Sequence, residues 1–167
     1  MLHQFDEALC SGVAGALRPM IEGQMESGLL NRSVFHMIFG VRHPESPWFK
    51  EIYSTRFGTQ DPSQWEWPYD EIATSKASIT GRTGLPSRIV QLEKPHLLLP
   101  GDTLYWGSWI EGDYLVAASG VQSYFDEYFS KMALYLALAM NENTRAKLEE
   151  AAEAQNSCFF PRRQLCV

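Results

Sequence analysis

The chain is short of positive charge. Its 167 residues carry 14 Lys and Arg against 20 Asp and Glu, a formal net charge of −6. A domain that binds nucleic acid or an anionic membrane surface presents a basic face, so we expect neither partner. No apolar run approaches the roughly 20 residues that span a bilayer. The first ten residues carry acids where a signal peptide carries cations, and these absences together predict a cytoplasmic protein.

Cysteine is scarce, and familiar catalytic motifs are missing. Three cysteines cannot all pair within one chain, and their spacing fits no metal or redox motif, so we interpret them as ordinary thiols. The sequence contains no glycine-rich nucleotide loop, no nucleophile elbow and no HExxH zinc motif. None of the four histidines pairs with another at helical spacing, so no metal site is predicted. No catalytic dyad is evident either.

What remains is the composition of one globular domain, with 45% hydrophobic residues. Apolar residues at helical spacing predict a leading helix over residues 6–28, with a kink or a break at Pro19. The run 33–41 is rich in β-formers and apolar on both faces, so it predicts a central strand. We expect a single domain over residues 1–155 and a tail over residues 156–167.

The middle of the chain is less regular. Residues 43–69 are rich in proline and tryptophan and predict a long loop, with one helical turn at 48–53. A second helix is expected over residues 70–79. Residues 103–110 and 114–118 flank a three-residue turn and predict a β-hairpin.

A long final helix is expected to begin near Ser123. Ser123 and Asp126 have the spacing of a capping box, Asn141 and Asn143 are candidates for a break, and the charged segment 144–155 continues the helical pattern. The order helix, strand, helix, hairpin, helix predicts an α+β fold with an antiparallel sheet and a long C-terminal helix.

Two segments have the residue types of a binding site. Residues 76–88 place three cations and four hydroxyls around a glycine-rich helix exit, and arginines there suit a carboxylate or a phosphate. A helix C-terminus explains the same residues without a ligand. Residues 118–127 run from a strand through a glycine turn to a helix N-terminus, which can receive an anion. Side chains of the helix's own first turn can equally satisfy those N–H groups.

The same two segments resemble the GlcG/HbpS-like family, also called the haem-degrading domain and found at the C-terminus of PduO-type proteins. That family has a Lys-Ala pair seven positions before a Gly-x-Pro-Thr turn; here these are Lys76-Ala77 and residues 84–87. It then has Ser-Gly, five residues and an Asp-Glu pair, here Ser119-Gly120 and Asp126-Glu127. The resemblance covers residues 5–140.

The resemblance implies a profilin-like antiparallel sheet flanked by helices, in a protein that forms homo-oligomers. Some members of the family bind haem or related tetrapyrroles, and a Thr in the Gly-x-Pro-Thr turn is associated with haem contact. Ser87 stands at that position here. The resemblance therefore implies a cofactor site formed by Lys76, Arg82, Thr83, Ser87 and Arg88, with the cations meeting propionate groups.

Three functions follow as hypotheses. The first is a small-ligand-binding protein that takes haem, another tetrapyrrole or a small carboxylate, with Trp48, Trp65 or Trp67 as an aromatic wall. The second is an enzyme or accessory protein that acts on a small organic acid. The third is an oligomeric assembly module without catalysis, which buries the aromatic loop and the final helix between subunits. Bulky residues at 104–109 and 115–118 stand where the family has glycine-rich segments.

Overall fold

A computed structural model describes residues 5–43 and 48–154, with side chains as far as residue 151. The predicted tail, 156–167, lies outside this range. The described helices and strands are, in chain order, α1 (Glu7–Glu26), β1 (Val34–Arg42), β2 (Phe49–Gly58), α2 (Tyr69–Thr83), α3 (Ser87–Glu93), β3 (Ser108–Glu111), β4 (Tyr114–Ser119) and α4 (Ser123–Ala154). The predicted α+β class is confirmed, as is the long C-terminal helix.

The four strands form one antiparallel sheet in the order β2-β1-β4-β3. Because side chains alternate across a strand, β1 and β4 each contribute to both faces. Helices α1 and α4 pack on one face, and α2 packs on the other against β1 and β4. The central strand predicted from residues 33–41 is therefore covered on both sides.

The larger core lies between the sheet and the pair α1 and α4. The rings of Phe35, Phe57 and Phe129 are completely buried there, with centroids 5.5 Å apart for Phe35 and Phe57 and 5.4 Å apart for Phe35 and Phe129. Each such ring contributes about 1.5–3 kcal/mol by leaving water. A smaller cluster, formed by Ala77, Ile110, Leu115 and Ala117, lies under α2.

The leading helix is confirmed as one continuous element. Asp6 caps α1, its carboxylate accepting a hydrogen bond from the N–H of Leu9 at 2.9 Å. The helix runs through Pro19 without a break, because the proline lies on the exposed side and the buried side still packs on the sheet. No helix in the described part of the chain is long and apolar enough to cross a membrane.

The prediction of a loop across residues 43–69, with a helical turn at 48–53, is wrong. Residues 49–58 form β2, which pairs with β1 along its whole length. This strand lies at the edge of the sheet, where charged side chains such as Lys50 and Glu51 are tolerated. Because β2 is stabilised by pairing with β1, the residue composition of β2 alone is weak evidence for a strand.

Three boundaries also differ from prediction. Helix α2 extends beyond residue 79 to Thr83 and ends at Gly84, which has a left-handed conformation with φ of 69°. Strand β3 begins at Ser108, because the segment before it is a loop held by the side chain of Gln91. Helix α4 passes through Asn141 and Asn143 without a break.

Candidate functional site

The two segments singled out in the sequence meet at a buried ion pair. Lys76 of α2 donates hydrogen bonds to the carboxylate of Asp126 in α4 and to the carbonyl oxygen of Ala118 in β4, both at 2.8 Å. The side chains of Lys76 and Asp126 are 0% and 3% exposed. Asp126 also accepts a hydrogen bond from the N–H of Val121 at 3.2 Å. The pair therefore joins both helical layers at one end of β4.

Gly107 allows this close packing. A Cβ atom at this position would lie 2.5 Å from Cβ of Asp126 and 2.9 Å from Nζ of Lys76, and the φ of 147° favours glycine. The N–H groups of Gly107 and Ser108 are accepted by the hydroxyl of Ser87, and Ser130 donates to the carbonyl of Gly107. Hydroxyl groups thus hold the loop before β3 against the ion pair.

Burial dominates the electrostatics of the pair. It raises the pKa of Asp126 to about 6, although Lys76 acts in the opposite direction. Burial likewise lowers the pKa of Lys76, again against the attraction of Asp126. Each charge therefore depends on the other, since an unpaired charge in a buried position is strongly unfavourable.

A pocket opens beside the ion pair, with a cavity volume of about 80 Å³. It lies between the start of α2, the loop before β3 and the turn from β4 into α4. The lining residues are Arg32, Trp67, Tyr69, Ile72, Lys76, Tyr105, Ser119, Gly120, Val121, Ser123 and Asp126. The net charge of the Lys76 and Asp126 pair is zero when both are ionised, so Arg32 is the remaining cation of the lining.

Tyr69 is the least expected polar group in this pocket. Its side chain is buried, only 4% of the residue being exposed, yet its hydroxyl has no hydrogen-bond partner within residues 5–43 and 48–154. Burial raises the pKa of Tyr69, and the charges of Arg32 and Asp126 also act on it. The hydroxyl therefore stays protonated and is a hydrogen-bond donor in a pocket that Arg32 and Asp126 also line.

The first turn of α4 adds a second set of donors. Ser123, the first residue of α4, lines the pocket. The N–H groups of Phe125 and Asp126 donate to the carbonyl of Gln122, so the N–H groups of Ser123 and Tyr124 are the leading donors without an acceptor within the helix. The helix dipole places partial positive charge at the same point. Arg32 also lines the pocket, and among the described residues it forms a long, partly exposed ion pair with Glu66, 3.5 Å from its Nε to the carboxylate. Arginine, hydroxyl and helix terminus are all suited to an anion.

A second buried polar atom without a partner lies behind the pocket. His36 of β1 faces Ser119 of β4 across the sheet, and within the described chain its Nδ1 makes no hydrogen bond. Its ring lies 6.3 Å from that of Trp65, which lies 5.8 Å from that of Tyr69. Burial lowers the pKa of His36, so the imidazole is neutral and adds no charge to the pocket.

Of the five predicted site residues, only Lys76 lines the pocket. Arg82 donates to Asp102 at 2.6 Å and to the carbonyl of Leu97 at 3.2 Å, although its Nη1 is buried without a partner in the described residues. Thr83 donates to the carbonyl of Ile79 at 2.7 Å, the bond of a hydroxyl to its own helix. Arg82 and Thr83 therefore stabilise the end of α2 and the loop beyond it.

Ser87 and Arg88 also have structural partners. Ser87 is completely buried and accepts two backbone N–H groups at 3.1 and 3.2 Å. Arg88 pairs with Glu127 at 3.1 Å, and Lys131 shares that carboxylate at 2.8 Å. Ser87, the last residue of the first resemblance motif, therefore joins α3 to the segment that begins β3, and Arg88, the residue after that motif, joins α3 to α4. Neither residue lines the pocket.

The three candidate tryptophans occupy three different places. Trp67 lines the pocket with more than half of its surface exposed. Trp65 packs on Tyr69 and donates to the carbonyl of Thr59 at 2.9 Å. Trp48 lines a separate, shallow groove with Asp70 and Glu71. Only Trp67 is placed to act as a wall of the pocket.

Sequence reasoning missed Arg32, Tyr69 and Tyr105. They lie in three segments, and no local motif links them. Arg32 stands alone before β1, Tyr69 begins α2, and Tyr105 lies inside the segment predicted as a strand. The signals that pointed to this pocket were the glycine turn at 118–127, Lys76 and Trp67.

The pocket does not fit a haem macrocycle. Small-molecule pockets usually measure about 300–1,000 Å³, whereas this cavity measures about 80 Å³. Among the residues that the structure describes, no His, Cys or Met lines it. A tetrapyrrole would have to lie across the exposed rings of Trp67 and Tyr105, with only an acidic substituent inside. Haem binding stays a prediction.

Within residues 5–43 and 48–154, no group of three or more His, Cys, Asp or Glu is arranged to hold a metal ion. The chain matches no family model, no curated protein and no solved structure. The case for a function therefore depends on the geometry of the pocket.

Proposed function

We propose that this chain is a small-ligand-binding protein whose ligand places a carboxylate or another small anionic group in the pocket at the start of α4. The observation that carries the proposal is that Arg32, Tyr69 and the first turn of α4 line one cavity, in which the buried hydroxyl of Tyr69 has no partner within the described chain. An unsatisfied buried hydroxyl costs about 1–3 kcal/mol. An acceptor group on a ligand removes that cost.

The electrostatics of the pocket support an anion. Lys76 compensates the carboxylate of Asp126 at 2.8 Å, so Asp126 does not repel a second anion as a free carboxylate would. Arg32 then supplies the attractive charge, and the first turn of α4 supplies N–H donors. A cationic ligand, in contrast, would meet Arg32 and the positive end of the helix dipole.

The resemblance to the GlcG/HbpS-like family is part of the same proposal. Its two motifs are distant in sequence, and Lys76 of the first contacts Asp126 of the second. Such a contact is a physical reason for both motifs to occur together. In the tetrapyrrole version of the proposal, a propionate enters the pocket and the macrocycle covers its mouth. The cytoplasmic location expected from the sequence belongs to this proposal as well.

The experiment is a titration of the ¹⁵N-labelled protein with sodium acetate, sodium phosphate and hemin, followed by amide chemical shifts and, for hemin, by Soret absorbance. The variants are Arg32→Gln and Tyr69→Phe. Arg145→Gln is the matched control, because Arg145 pairs with Glu142 on the exposed part of α4, about 33 Å along the helix from Ser123.

We expect saturable shifts at Gly120, Val121 and Ser123 with at least one anion. We expect Arg32→Gln to weaken binding about tenfold, in line with a charged hydrogen bond, and Tyr69→Phe to weaken it less. The Arg145→Gln protein should bind like the parent. Shifts that depend equally on Arg32 and Arg145 indicate general anion screening and contradict the proposal, as does the absence of any saturable shift.

Oligomer formation is a second candidate function, and one feature of α4 favours it. Tyr124, Tyr128 and Tyr135 are each at least half exposed on this helix, and tyrosine is enriched in protein interfaces. Sedimentation velocity over a hundredfold range of concentration tests it. A purely monomeric profile contradicts the oligomeric role and leaves the ligand proposal untouched.

A further inference from the structure

Two exposed aromatic side chains stand at the mouth of the pocket. Trp67 and Tyr105 are 55% and 61% exposed, and both line the cavity next to Arg32 and Tyr69. They come from different segments, Trp67 from the turn before α2 and Tyr105 from the loop before β3. Large aromatic groups seldom remain exposed in pairs beside a cavity unless they contact something.

Within the described residues, no aromatic ring or cation of the protein stacks on Trp67 or Tyr105. The aromatic contacts near the pocket join Trp65 to Tyr69 and Trp65 to His36; within the described residues Trp67 and Tyr105 take part in no ring pair and no cation–π contact. Arg56 stacks on Trp65 at 5.3 Å instead. The exposed faces of Trp67 and Tyr105 are therefore accessible to a ligand.

The backbone that carries Tyr105 is held in place. The side-chain amide of Gln91 donates to the carbonyl oxygens of Thr103 and Tyr105 at 3.0 and 2.8 Å. The N–H of Tyr105 is accepted by the hydroxyl of Thr103 at 3.2 Å. On the other side, the N–H of Tyr69 donates to the carbonyl of Trp67 at 2.9 Å. Anchored backbones on both sides lower the entropic cost of binding a ring.

We infer that the ligand of this pocket is an aromatic acid: a flat ring that contacts Trp67 and Tyr105, with its carboxylate directed to Arg32, Tyr69 and the first turn of α4. This inference rests on the proposed function and adds the chemical class of the ligand. The cavity of about 80 Å³ holds the acid group and part of one ring. The exposed aromatic faces bind the rest, since aromatic rings attract each other beyond simple burial.

The test compares benzoate with cyclohexanecarboxylate. The two ligands have the same number of carbon atoms and the same carboxylate group, but the ring of cyclohexanecarboxylate is neither planar nor aromatic. Both acids are titrated into the ¹⁵N-labelled full chain, and the dissociation constants are read from the amide shifts of Gly120 and Val121. The aromatic variants are Trp67→Leu and Tyr105→Leu, singly and combined. Trp48→Leu is the matched control, because Trp48 is similarly exposed and lines a different groove.

We expect the parent protein to prefer benzoate by roughly 3- to 10-fold. The combined variant should lose this preference by weakening benzoate alone, and Trp48→Leu should keep it. Equal affinities in the parent, or a preference that survives in the combined variant, would overturn the inference. If both acids bind equally and Arg32→Gln weakens the binding of both, the proposed function stands and the inference of an aromatic ligand fails. If neither acid binds, both fail.

Discussion

The two ends of α2 differ in how their polar groups are used. At its C-terminal end and in the start of α3 just beyond it, the predicted site residues have protein partners: Arg82 pairs with Asp102, Ser87 with two N–H groups, and Arg88 with Glu127. Of these groups, Nη1 of Arg82 is buried without a partner in the described residues. At its N-terminal end a buried hydroxyl lacks a partner in the described chain, at Tyr69. Residue types suited to a ligand therefore form a candidate site only where the fold leaves their polar groups without partners and beside a cavity.

Lys76 belongs to both regions, and its removal should have the largest effect on stability. Lys76→Met leaves the Asp126 carboxylate buried without its cation, so we expect the free energy of unfolding to fall by about 3–5 kcal/mol. The additional change Asp126→Leu removes the second charge and should restore part of the loss. Urea denaturation measures all three proteins. A single variant as stable as the parent would show that the pair carries no charge.

Ser87→Ala tests whether the start of α3, just beyond the C-terminal end of α2, has a structural role. The substitution leaves the N–H groups of Gly107 and Ser108 without their acceptor in a buried position, so we expect a loss of about 2 kcal/mol in the free energy of unfolding. Anion affinity at the pocket should change little. Ser63→Ala is the exposed control and should stay within about 0.5 kcal/mol of the parent. Lost binding with unchanged stability would reverse the assignment and restore Ser87 as a ligand contact.

The pH dependence of stability should reveal Asp126. Burial raises its pKa from 3.8 to about 6, while Lys76 and Arg32 act to lower it. Between these values the folded protein holds a proton that the unfolded chain has released, so this group's contribution to stability is present at low pH and is lost as the pH rises to about 6.

The measurement compares the parent with Asp126→Asn, which cannot titrate. The difference in free energy of unfolding, parent minus variant, should decrease by about 1–3 kcal/mol between pH 4 and pH 7. Urea denaturation at four pH values in that range gives the difference directly. An increase over the same range would mean that the attraction of Lys76 outweighs burial.

Tyr69→Phe should have the smallest effect on stability. The sign of the change in the free energy of unfolding shows whether the hydroxyl has a partner. Because the hydroxyl is buried without a partner in the described chain, its removal should raise the free energy of unfolding by about 1 kcal/mol. Anion affinity should fall at the same time. Thermal denaturation with and without the anion checks both effects. Destabilisation by Tyr69→Phe would mean that the hydroxyl already has a partner, and the contrast between the two ends of α2 would disappear.

The parts of the fold that were predictable carry a strong local signal. Helix α1 has apolar residues at helical spacing, and strand β1 is one continuous apolar run. A short Glu-Gly-Asp sequence marks the turn between β3 and β4. Strand β2 was missed because an edge strand receives its hydrogen bonds from one neighbour and tolerates charge on its surface. The break expected at Asn141 failed because neighbouring residues, such as Arg145 with Glu142, support the helix locally.

The site was predictable only in part, because its residues come together through contacts between distant segments. Lys76 and the glycine turn before α4 were both recognised as candidates, but the sequence did not show that they meet. Whether an arginine binds a ligand or pairs with Asp102 depends on a carboxylate 20 positions away along the chain, which Arg82 contacts at 2.6 Å. Composition near a helix exit cannot distinguish the two outcomes, because both use the same residue types.

Apolar periodicity within short stretches of chain was enough to predict the α+β class, the leading and final helices and the central strand. The packing of distant segments, in contrast, brings Arg32, Tyr69 and Tyr105 into one pocket and buries Lys76 against Asp126. Whether a buried polar group has a hydrogen-bond partner depends on the groups that surround it in space. Those surroundings come from segments that the sequence keeps far apart.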